Sequence, residues 1–145
     1  MSLAPDVLAR LIPFVDSARA LMESNPRSFE PLKQFPTGAS EQACQLLGQR
    51  IAGFLPTVQS HCVGATRYSD GPSIKHTWLN VGGIIIDVTH DQFSDTGIDS
   101  GRWVFEQTSD WHRTFKLCQP HVLLDPGDWP AKLRTLYAKT IDLCM

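Results

Sequence analysis

Ser73-Ile74-Lys75-His76-Thr77-Trp78-Leu79-Asn80-Val81-Gly82-Gly83-Ile84-Ile85-Ile86-Asp87-Val88-Thr89 sets β-branched and aromatic residues on both sides of a glycine pair. That pattern is a β-hairpin whose loop needs positive φ, which glycine adopts without penalty. With Gly82-Gly83 as the loop, Val81 faces Ile84, Trp78 faces Asp87 and His76 faces Thr89. His76 and Asp87 then become diagonal neighbours on one face, because side chains repeat every second residue. A carboxylate at that distance can hold an imidazole in one tautomer and stabilise its protonated form. The plainer alternative is a half-polar strand pair with an exposed aspartate.

The chain around this hairpin has 145 residues, 42% apolar and 19% charged, with a formal net charge of −2. That length suits one domain able to bury a core without metal or disulfide staples. No basic excess is available to neutralise phosphates or coat a membrane surface, so neither nucleic acid nor membrane is an expected partner. The longest apolar run, Val81 to Val88, is broken by Asp87 and is too short to span a bilayer. Asp6, Arg10 and Asp16 interrupt the first apolar stretch, which does not read as a secretory leader. Cys44, Cys62, Cys118 and Cys144 are scattered without CxxC pairing, and read as reduced thiols of a cytoplasmic protein.

Upstream, apolar residues at Leu8, Leu11, Ile12, Val15, Ala18 and Met22 trace one helical face, with Pro13 expected to kink or interrupt it. Asn25 to Pro36 contains three prolines and reads as an irregular connection. From Ala39 to about Leu55 a second helix is expected, burying Ala43, Leu46, Leu47, Ile51 and Phe54. Ser40 falls in its first turn, where free N–H groups and the helix dipole favour negative charge. A plain helix cap explains Ser40 equally simply. Val58 to Tyr68 reads as a strand, Ser69 to Pro72 as a turn and His90 to Gly97 as a loop. Arg102 to Gln107 and His112 to Leu117 read as two more strands, and Pro126 to Pro130 as a break. Trp129 to Leu143 reads as an amphipathic closing helix. The fold class is therefore a single α+β domain over residues 1–145.

A helix N-terminus, a strand histidine and a neighbouring-strand aspartate are the parts from which thiol nucleophiles are built. The residues Phe35-Pro36-Thr37-Gly38-Ala39-Ser40, then His76-Thr77-Trp78, then Ile85-Ile86-Asp87-Val88-Thr89 with Asp91-Gln92-Phe93 resemble the papain-like superfamily in its compact bacterial forms, alongside transglutaminase-like and NlpC/P60-like domains. Members tend to read Phe-Pro-x-Gly-x-Cys, His-x-Trp and Ile-Asp-x-Thr-x-Asp-Gln-Phe in this order. The resemblance covers roughly Gln34 to Phe93, with an echo at Trp111-His112-Arg113. It implies a papain-like fold, with a nucleophile helix packed against an antiparallel sheet. It also implies acyl transfer on a carboxamide or peptide bond of a protein or peptide substrate. Position 40 would be the nucleophile, His76 the general base and then acid, and Asp87 the group that orients His76. Gln34 would help hold the oxyanion beside the backbone N–H of Ser40; an exposed loop glutamine is the alternative.

One departure stands out, because the nucleophile position holds serine. Cys44 lies one turn further along the helix and reads as a core thiol. An inactivating Cys→Ser substitution, a natural serine enzyme and an inactive binding module each account for Ser40; the first is favoured because the rest of the site is intact. Peptidase, glutamine deamidase and transglutaminase chemistry all remain open, and a toxin or effector acting on a cytosolic protein suits the small size. No cofactor is expected. Cys118 and His121, with His112 nearby, have ligand-like spacing, but four metal ligands are not visible, so no metal is expected. His61 and His90 read as surface residues. Trp78 reads as a shield over the His76–Asp87 pair, with simple core packing as the alternative, and Asp91 and Gln92 as groove or turn residues. Oligomeric state is not legible.

Overall fold

The structure is a computed structural model that describes residues 3–24, 40–68, 73–93, 97–99, 101–121, 127, 129 and 131–139. In chain order its elements are α1 (Pro5–Ser24), α2 (Ser40–Phe54), β1 (Ser60–Arg67), β2 (Ile74–Val81), β3 (Ile84–Ile86), a 3-10 turn at His90–Gln92, β4 (Val104–Glu106), α3 (Asp110–Arg113), β5 (Lys116–His121) and α4 (Ala131–Lys139). The strands form one antiparallel sheet in the order β4-β3-β2-β1-β5. The class is α+β, as the alternating and helical patterns imply.

The hairpin register follows the glycine pair. Val81 pairs with Ile84, Asn80 with Ile85 and Leu79 with Ile86. Gly82 and Gly83 have φ of 53° and 87°, the two positive values that a tight hairpin loop matching the strand twist requires. The ladder between β2 and β3 stops at Ile86, and the Asp87 N–H turns away to the Trp103 carbonyl at 2.8 Å.

Strand alternation gives the sheet two different faces. Cys62, Leu79, Val81, Ile84 and Ile86 point to the side covered by α1, α2 and α4, where they share a core with Leu11, Phe14, Leu46, Leu47, Ile51 and Leu136. Val63, Ala65, Trp78, Ile85 and Phe105 point to the other side, beneath Trp111 and Phe115. His76 and His112 lie on this second side, with their rings against Trp78 and Trp111.

Three local expectations need correction. Pro13 does not interrupt α1, which runs through it. The helix interior loses one backbone bond there, but the buried face of Leu11, Phe14, Val15, Ala18 and Met22 outweighs that cost of about 3 kcal/mol. The expected strand His112 to Leu117 is instead α3 followed by β5 from Lys116. Trp111 lies in α3 and Phe115 follows it, with its N–H reaching back to the His112 carbonyl at 3.3 Å, and both rings are buried. His90 is not a surface residue: it is buried beneath Trp103 and Phe105, and its Nε2 donates to the Arg102 carbonyl at 2.6 Å. The connection from Asn25 to Pro36, the turn at Ser69 to Pro72 and the end of the closing helix lie outside the described residues, as does most of the break at Pro126 to Pro130.

Candidate functional site

Asp87 stands one residue past β3, with its side chain wholly buried. Its Oδ2 accepts from His76 Nε2 at 2.8 Å and from His112 Nε2, also at 2.8 Å. Its Oδ1 accepts from the Thr89 N–H at 3.1 Å and from the Thr89 hydroxyl at 3.5 Å. Four donors therefore meet the roughly four acceptor sites of one ionised carboxylate. Burial on its own would push the Asp87 carboxyl up. The charge on His76, the hydrogen bonds from His112 and His76, and the charge on His112 together reverse this and hold it well below the usual carboxylate range.

The bond to Asp87 fixes the His76 proton on Nε2, because a carboxylate can only accept. Nδ1 then carries the lone pair, and that buried nitrogen has no hydrogen-bond partner among the described residues. The ring sits among Phe93, Trp78, Trp111 and Phe115, with centroids 5.0 to 6.0 Å away. Trp78 also lies edge-on to His112 at 4.8 Å, so it covers both imidazoles, in agreement with its reading as a shield.

Ser40 is the first residue of α2 and is half-buried. It lines an open cleft of about 480 Å³ with His76, Thr77, Lys75, Gln92, Thr66 and others. The structure thus brings Ser40 and His76 to one cleft, and no hydrogen bond joins them. Cys44, one turn on, is buried in the core of the helical layer. Burial pushes its thiol up, and a hydrogen bond with Cys62, the Cys62 charge and the carboxylates of Asp87 and Glu41 push the same way. Such a thiol stays protonated and unreactive. Gln34 lies outside the described residues.

Gln92 reaches the cleft, whereas Asp91 turns to the helical layer. There the buried Arg19 of α1 grips both Asp91 oxygens, each at 2.9 Å, and also bonds the Val88 carbonyl. The turn bond expected of Asp91 is made by Asp87 to the Thr89 N–H. Among the described residues no group of three or more His, Cys, Asp or Glu side chains is placed to hold a metal ion. His112 is spoken for by Asp87 and by Ser109, whose hydroxyl lies 2.7 Å from its Nδ1.

Sequence reasoning left His112 without a role and did not single out Arg19 or Ser109. Each meets the site over a span with no periodic signal: His112 is 25 residues from Asp87, and Arg19 is 69 from Val88. The Trp111-His112-Arg113 echo was the one available hint. Comparison of this chain with protein-family models, with curated proteins and with solved structures finds no significant match to any of them.

Proposed function

We propose that this chain carries the acyl-transfer machinery of a papain-like thiol enzyme, acting on a carboxamide or peptide bond of a protein substrate. The observation that supports this most is a buried imidazole held by a carboxylate through Nε2, with Nδ1 unpartnered, in a residue that shares a cleft with a helix N-terminus. In this reading the group at position 40 attacks the carbonyl carbon while His76 Nδ1 takes its proton. The tetrahedral intermediate collapses as Nδ1 returns that proton to the leaving nitrogen, which departs as amine or ammonia. Water then attacks the acyl group, giving its proton to Nδ1, and the position-40 atom leaves with the proton restored. Asp87 keeps its charge throughout and orients the ring. Serine is far harder to ionise than cysteine, so the chain with Ser40 is a weak or inactive form of such an enzyme.

A second reading is favoured by two observations together: the serine itself, and the full burial of the His76 side chain. It is a binding module that keeps the cleft without turnover.

The Ser40→Cys variant separates the two. Under the enzyme reading its new thiol reacts with iodoacetamide at neutral pH at least about tenfold faster than an exposed model cysteine, the effect of a one-unit fall in pKa. The advantage disappears on adding His76→Ala, and amide hydrolysis appears only with the thiol. A thiol of ordinary reactivity would leave the binding module as the surviving reading.

A further inference from the structure

We infer that His112 is a positioning residue for His76, acting through the one carboxylate oxygen that both imidazoles share. This rests on the reading of His76 as the general base and adds a regulator of its basicity to that site. Two N–H groups, His76 Nε2 and His112 Nε2, each lie 2.8 Å from Asp87 Oδ2. His112 is itself set by Ser109: a hydroxyl 2.7 Å from Nδ1 can donate there, which leaves the His112 proton on Nε2, facing Asp87. Neither ring can swing away. His112 is packed by Trp78, Phe105 and Trp111 at 4.8 to 5.0 Å, and its side chain is 1% exposed.

Sharing an acceptor has a definite electronic sense. Electron density that Oδ2 gives to the His112 proton is withdrawn from the His76 proton, so His112 weakens the His76–Asp87 bond while fixing where the carboxylate points. A carboxylate already holding three N–H donors is also a poor proton acceptor. When His76 gains a proton at Nδ1, its Nε2 proton therefore stays on the ring and does not pass to Asp87, and the Nδ1 proton is available for the leaving group. The sequence of contacts, Ser109 to His112 to Asp87 to His76, links the turn at α3 to the base.

Ring ¹H–¹⁵N correlation spectra of the folded protein test this without any turnover. In the parent chain the reference signals are the Nε2–H resonances of His76 and His112, each donated to Asp87. In His112→Phe, which keeps an aromatic ring among its neighbours, His76 becomes the only imidazole donor to Oδ2, and its Nε2–H resonance moves downfield. His112→Gln, with an amide N–H as a weaker donor, gives an intermediate position. If His112→Phe fails to fold, the Gln variant alone carries the test, and a downfield shift is still expected. Unchanged His76 ring nitrogen and proton shifts in a folded variant would overturn the inference, since a merely space-filling His112 leaves them alone. Failure of the acyl-transfer reading is distinguishable. An unactivated thiol in Ser40→Cys, with His76 still shifting in the His112 variants, sinks the enzyme and retains the shared carboxylate. An activated thiol with no His76 shift sinks only the role of His112.

Discussion

Asp87 governs the acid response of this protein through the groups that surround it. Its carboxyl titrates lower in the folded chain than in the unfolded one, where it has an ordinary value of about 3.9. Between those two values the unfolded state binds more protons, so stability rises with pH there. The contribution of Asp87 is complete above the unfolded value and is lost as pH falls below it towards the folded value. Urea midpoints measured from neutral pH down to the acid limb should therefore fall in the parent and fall less steeply in Asp87→Asn. At neutral pH the same variant is expected to be less stable by about 2–4 kcal/mol, because an amide cannot accept from all the donors gathered round it. The His76–Asp87 pair was legible in the sequence because both residues lie on one hairpin of defined register. Its third member was not: the His112 contact depends on how α3 folds back, and the Trp-His-Arg-Thr-Phe run fits a strand as well as a helical turn.

The hairpin loop and α1 are the elements that hold this pair in place. A Cβ on Gly82 would lie 2.9 Å from Val58 Cγ1 and 3.0 Å from Leu3 Cδ2, at a φ of 53°. Gly82→Ala therefore meets both a crowded site and an unfavourable backbone region, and should cost about 1–3 kcal/mol in chemical denaturation. Arg19 is the second fastening. Its guanidinium joins α1 to Val88 and Asp91 on the segment that follows Asp87, and lies 4.4 Å from the centre of the Trp103 ring. Arg19→Met should cost about 3 kcal/mol, with the buried Val88 carbonyl losing that donor. Its effect on His76 should be visible as a displaced Nε2–H resonance. The amphipathic pattern of α1 was readable, and Arg19 within it was not. An arginine on an apolar face looks like an interruption until the acid that meets it is known.

Across the whole molecule, burial divides the described thiols by reactivity. Cys44 and Cys62 are buried in the helical layer, whereas Cys118 on β5 is exposed beside the cleft. Limited alkylation of the native chain, followed by peptide mapping, should modify Cys118 well before Cys44 or Cys62. Equal labelling of all three would mean that the helical layer is open. The α+β class and the antiparallel hairpin followed from periodicity alone. The sheet order did not, since β5 pairs with β1 across fifty residues or more and with a register shift between Val63 and Ala65.

That difference in span orders events in time. His76 on β2 and Asp87 just past β3 are 11 residues apart, and a two-residue loop joins those strands, so chain diffusion closes their contact cheaply and early. His112 and the β1–β5 pairing wait for much longer loops to close. The nascent chain therefore passes through a stage at which Asp87 has one imidazole and not yet two. Substitutions in the hairpin should slow refolding, whereas those at the β1–β5 seam should chiefly hasten unfolding. A site that ends as a shared carboxylate begins its life as a simple pair, and the second histidine acts as the latch that closes last.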